Sequence, residues 1–102
     1  MKENLNFGAV IEALREGKCC QRKGWNGKGL FIVKQLPCKL EGLIIDKIQS
    51  LPESAKDIIR KRDGVPTLAY TNQMLIINPD GRADSWVPSS SDVFAEDWCI
   101  LD

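Results

Sequence analysis

Two short runs hold most of the side chains suited to gripping a ligand. In Trp25-Asn26-Gly27-Lys28-Gly29, preceded by Gly24, glycines leave backbone amides uncovered and let a ligand approach. Trp25 offers a flat face for stacking a base. Asn26 can donate and accept at a purine edge or ribose, and Lys28 is a point charge for phosphate. The same spacing describes a hairpin turn with Trp25 folded onto the core. In Trp86-Val87-Pro88-Ser89-Ser90-Ser91-Asp92, successive hydroxyls at the start of a helical turn suit a phosphate or a hydroxylated ring. Asp92 could accept from ribose hydroxyls. Plain helix capping by Ser89 and Asp92 explains the same residues. A third run, Ala95-Glu96-Asp97-Trp98, pairs two carboxylates, which reads as a solvated turn with Trp98 anchoring a strand in the core. Phe7 has a core reading and a stacking reading at a site edge.

Other chemistry is excluded by what the chain lacks. It contains no histidine, so Ser-His-Asp and Cys-His catalysis are out. Acid–base work would fall to carboxylates, Lys or Tyr70. There is no H-E-x-x-H, P-loop, G-x-S-x-G or dinucleotide fingerprint. The four cysteines, Cys19, Cys20, Cys38 and Cys99, form no C-x-x-C pair. Neighbours such as Cys19 and Cys20 in a strand point to opposite faces. No metal site and no cofactor are expected.

The elements around these runs follow from periodicity. Asn6 can cap a helix in which Phe7, Val10, Ile11 and Leu14 share a face, with Gly17 as its stop. Residues 19–23 and 30–35 read as strands of a hairpin joined by a six-residue turn. Residues 40–49 are ambiguous between strand and helix. Residues 50–62 read as a helix capped by Ser50, and residues 68–77 as one strand. Asn78-Pro79-Asp80-Gly81 is a type I turn, returning through a partner strand at 82–87. Ser89 to Ala95 holds a short helical turn, and residues 98–101 a final antiparallel strand. The fold class is α+β: a small antiparallel sheet of about five strands, with an N-terminal helix and a middle helix packed on it.

At 102 residues and 11.4 kDa the chain makes one domain with a modest core. Fourteen basic and fourteen acidic residues cancel, unlike a wholesale binder of nucleic-acid polymers. Residues 1–62 nevertheless carry a net +6 and residues 63–102 a net −6. Such halves complement each other within a fold or across a subunit contact. Met1–Asn6 has no apolar signal core and no apolar run approaches a membrane span. A cytoplasmic chain with reduced thiols is expected.

The order of motifs resembles a family. Asn6-Phe7-Gly8-Ala9, Glu16-Gly17-Lys18 and Arg22 to Gly29 at one end are joined by Asn72-Gln73-Met74, Asp80-Gly81, Ser85-Trp86-Val87-Pro88-Ser89 and Ala95-Glu96-Asp97-Trp98 at the other. Together they are similar to the Thoeris anti-defense two proteins of phages and prophages, over residues 6–34 and 68–101. The resemblance implies a sponge rather than an enzyme: a homotetramer that holds cyclic ADP-ribose-type signals (glycocyclic ADP-ribose), made by TIR-domain immune enzymes, without cleaving them. Some members also take up cyclic dinucleotides at a separate surface. It implies a pocket between subunits built from Phe7, Arg22, Trp25, Asn26, Gly27, Lys28, Trp86, Pro88, Ser89, Ser90 and Asp92. The competing expectation is a protein-interaction module that blocks a host defence factor through exposed tryptophans.

Overall fold

The first helix, α1 (Phe7–Arg15), forms where a cap and a stop bracket an apolar stripe. Asn6 accepts the Ala9 amide at 3.0 Å. At the other end Gly17 takes a left-handed φ of 82°. Its amide reaches the Leu14 carbonyl and that of Lys18 the Ala13 carbonyl, a Schellman closure. Val10, Ala13 and Leu14 are buried on its inner face.

The computed structural model describes residues 1–101 and, for Asn26 and Gly27, the backbone alone. No helix among the described residues is long and apolar enough to cross a membrane. The chain divides into two compact units, residues 1–35 with 72–102, and Leu36–Thr71.

The first unit is a six-stranded antiparallel sheet with α1 on one face. Its strands are β1 (Lys2–Leu5), β2 (Cys19–Arg22), β3 (Phe31–Lys34), β6 (Met74–Ile77), β7 (Ala83–Ser85) and β8 (Trp98–Leu101), in the order β1-β8-β2-β3-β6-β7. Register puts Cys20 opposite both Ile32 and Ile100, and Arg22 opposite Trp98. Strand alternation therefore groups Cys20, Ile32 and Trp98 on the face that receives Val10 and Leu14. These residues make the buried core. The other face presents Phe31, Val33, Leu75, Ile77 and Leu101, all half-buried. The turn at residues 78–81 closes as expected, the Gly81 amide donating to the Asn78 carbonyl at 2.9 Å. The short helix α4 (Ser90–Phe94) begins at Ser89.

The second unit holds β4 (Cys38–Glu41) paired with β5 (Thr67–Tyr70), α2 (Ile44–Lys47) and α3 (Glu53–Arg60). Ile45 and Ile59 are buried in it, as is Lys56.

Several expectations are corrected. The sheet, expected to have about five strands, has six, because β1 adds to it. Its sequence, Lys-Glu-Asn-Leu, shows no apolar alternation, and an irregularity between Lys2 and Leu5 lets Leu5 face Trp98. Asn4 absorbs it at a left-handed φ of 57°, a conformation asparagine tolerates. Residues 24–29 form no open turn: residues 23–28 wind into a 3-10 helix. The stretch 68–77 is two strands in two sheets, broken at Thr71-Asn72-Gln73. Residues 40–49 split between the end of β4 and α2. Ser50 does not cap: α3 starts at Pro52 without a side-chain cap, and Ser50 Oγ bonds the Tyr70 hydroxyl at 3.0 Å.

Candidate ligand-binding site

Four aromatic rings from four segments meet at one end of the six-stranded sheet. Trp98, at the start of β8, is fully buried, and its Nε1 donates to the Asp92 carbonyl at 2.8 Å. Phe7, Trp25 and Trp86 pack around it with centroids 5.5, 5.4 and 6.1 Å away. Trp25 also stands edge-on to Trp86, at 6.2 Å and 85°. Tilted and edge-to-face pairs suit the ring quadrupoles. All three surrounding rings are only half-buried. Each is thus fixed from behind and open in front. Trp25 and Phe7 therefore pack against the core, as the core reading expects, and keep part of each ring accessible.

A polar frame stands beside the rings. The Arg22 guanidinium donates from Nε to Asp97 Oδ1 at 2.9 Å and from Nη1 to Asp92 Oδ1 at 3.1 Å. Asp92 closes a capping box: its Oδ2 accepts the Ser89 amide and hydroxyl, each at 2.9 Å, while its own amide donates to Ser89 Oγ at 3.1 Å. Burial alone would raise the Asp92 carboxyl. The Ser89 amide and hydroxyl, with Arg22, outweigh it and hold the group below the usual carboxylate range. Arg22 is pushed up, first by its bond to Asp97 and against the cost of burial. The frame ties the start of α4 to β2 and to the residue before β8, so Trp98 and Trp86 keep their angles.

The positions expected at a ligand distribute unevenly over this architecture. Phe7, Trp25, Trp86, Arg22, Ser89 and Asp92 are brought together. Pro88 is half-buried between Trp86 and Ser89, and Ser90 is exposed in the first turn of α4. Lys28, in the 3-10 helix, is exposed and has no carboxylate partner among the described residues. Asn26 and Gly27 have side chains outside the described residues. Residues 23–28 wind into a 3-10 helix rather than an open glycine loop, and the Lys23 amide at its start donates to the Asp97 carbonyl at 2.9 Å. Asp97 is not a solvated turn residue. It pairs with Arg22 across 75 positions of sequence, a partnership with no local signal.

Three clamped aromatic faces beside a carboxylate–guanidinium frame, carried on a small α+β fold, make up the candidate site. A family model, the Thoeris anti-defense 2-like (Tad2-like) domain, matches residues 5–101. A relative, Thoeris anti-defense 2 of Bacillus phage SP01, is 31% identical over 101 residues, 99% of either chain. The chain belongs to the Thoeris anti-defense 2-like family.

Proposed function

We propose that this chain counters Thoeris defence by binding and sequestering cyclic ADP-ribose-type signals, glycocyclic ADP-ribose among them, without cleaving them, in the cytosol of the infected bacterium. The observation that carries the reading is the half-buried trio Phe7, Trp25 and Trp86 seated on buried Trp98. Stacking on such rings contributes about 1–3 kcal/mol per base. Lys28 supplies charge for the diphosphate, and Ser89 and Ser90 hydroxyls face the riboses. Arg22 and Asp92 hold the wall and offer the ligand whatever bonding capacity the frame leaves.

A sponge must outcompete an effector. Nanomolar affinity corresponds to about −12 kcal/mol, roughly −0.3 kcal/mol per ligand atom for a molecule this size. Open rings on one protomer cannot enclose so much surface. A cleft between copies can, which motivates a homotetramer with ligand sites between subunits. The apolar sheet face of Phe31, Val33, Leu75, Ile77 and Leu101 is consistent with such assembly. Cyclic dinucleotides, held at a separate surface, are a further ligand class for this chain.

The test is recovery. Purified protein is incubated with the product of a TIR-domain enzyme, separated from free ligand and then heat-denatured. Depletion before heating and release of unaltered signal afterwards is expected. Altered signal means hydrolysis. Absence of depletion favours a second reading, direct blockade of a host protein, for which Val87 and Phe94, each 82% exposed, offer apolar anchors.

A further inference from the structure

Lys34 occupies a position that strand alternation assigns to the core. It shares the inner face of β3 with fully buried Ile32 and lies opposite Met74. It is half-buried, and its side chain has no hydrogen bond and no carboxylate partner among the described residues. Inward charges guard exposed sheet edges, but β3 is an interior strand, so edge protection does not explain it. A lysine here lays its aliphatic stem along apolar surface and keeps its charge toward solvent, where it is available to a ligand.

Lys34 stands on the rim of a hollow of about 330 Å³ between α1 and the β3–β6 ladder. Leu14, Ile11 and Met74 floor it, and Arg15 and Asn72 complete the rim. Arg15 gives one nitrogen, Nη1, to Glu12 at 3.0 Å; Glu12 does not line the hollow, and the remaining guanidinium N–H groups stay available. The Asn72 carboxamide has no partner among the described residues. Gln73 also lines the hollow, and its carboxamide is held by Gln35 and Ser85. The negative end of α1 is muted, because the carbonyls of Glu12, Ala13 and Leu14 accept amides of residues 16–18. None of Phe7, Trp25 or Trp86 lines this hollow.

We propose that the hollow is a second binding site, for a small organic phosphate monoester. Two cations on the rim match a dianionic phosphate, Asn72 adds a donor, and the floor takes an apolar or planar body. At this volume, near the lower end for ligand pockets, the occupant is compact. A terminal phosphate is also what the cyclic signals lack, so the two sites select different molecules.

The experiment follows backbone amide NMR signals of the full chain during titration with phenyl phosphate, inorganic phosphate and benzoate. Phenyl phosphate is expected to saturate, moving the signals of Arg15, Lys34 and Asn72. The other two should bind at least ten-fold more weakly, lacking either the body or the second charge. Lys34→Gln and, separately, Arg15→Gln should each weaken phenyl phosphate about ten-fold or more. Trp25→Ala should leave it unchanged, which separates this site from the proposed sequestration. The proposal is overturned if no saturable shift occurs, if both Gln variants bind normally, if inorganic phosphate binds as well, or if Trp25→Ala abolishes binding.

Discussion

Three tryptophans of one cluster answer differently to the same truncation, because burial differs. Trp98 is fully enclosed and bonds the Asp92 carbonyl. Trp98→Ala removes the ring on which three others rest and costs about 3–5 kcal/mol of stability, read as a large fall in the denaturation midpoint. Trp25→Ala and Trp86→Ala should leave a folded chain and, if the proposed sequestration holds, weaken binding of the signal roughly ten- to hundred-fold by calorimetry. Loss of folding in Trp25→Ala without selective loss of binding would return Trp25 to a purely structural role. Asp92 sets an acid limit. Its carboxyl is held low in the fold, so its bonds contribute fully above the unfolded value of about 4 and are lost as pH falls through the lower folded value. Asp92→Asn should flatten the fall in melting temperature between about pH 5 and 2.5. The thiols sort by exposure. Cys20 is pushed up to about 11 by burial and by Cys19 and Cys99 beside it, while Cys38 is exposed. Peptide mapping after iodoacetamide should find Cys38 modified first, and Cys20 and Cys99 only after unfolding.

Elements whose signals are local were readable in the sequence. Asn6 and Gly17 bracket α1, Asn78 to Gly81 makes its turn, and Ser89 with Asp92 caps α4. What escaped reading depends on partners far away. The strand β1 carries no apolar stripe of its own and exists because β8 offers an edge. The split of β5 from β6 rests on three polar residues inside an apolar run. At the site, the aromatic residues were legible by type, and Trp98 as a core anchor. The Arg22–Asp97–Asp92 frame was not, since its members lie 70 and 75 positions apart. Lys56 is another case. It looks like a surface lysine on α3, yet it is 4% exposed. Its Nζ donates to the carbonyls of Ile48 at 2.6 Å and Asp46 at 3.2 Å, and to Glu53 Oε1 at 3.3 Å. It thereby caps the end of α2 from α3. Lys56→Met keeps the aliphatic stem and strands two carbonyls, at about 2–3 kcal/mol. Hydrogen exchange should accelerate at residues 53–60 while the amides of β2 and β8 keep their protection. Unchanged exchange at 53–60 would mean the carbonyls find water.

The division into two units makes a demand on the chain as a whole. The segment Leu36–Thr71 leaves and rejoins the six-stranded sheet at adjacent points. Lys34 pairs with Met74, and the Gln35 amide donates to the Gln73 carbonyl at 2.9 Å. The two ends are therefore already in hairpin register, and no ring of the aromatic cluster comes from the inserted segment. A two-residue Asn-Gly turn matches the twist of such a pair. Replacing residues 36–72 with Asn-Gly should yield a folded sheet in which Trp98 stays buried and the Arg22–Asp92 pair persists. Shortening this connection also lowers its closure cost, by roughly 2–3 kcal/mol in total, which offsets part of the burial that is lost. Near-ultraviolet circular dichroism and tryptophan fluorescence check the aromatic cluster directly. Retention of both signals with undiminished signal binding assigns sequestration to the sheet unit. Retention of both with loss of binding assigns the missing contribution to the inserted unit, and light scattering on the same sample shows whether assembly was lost with it.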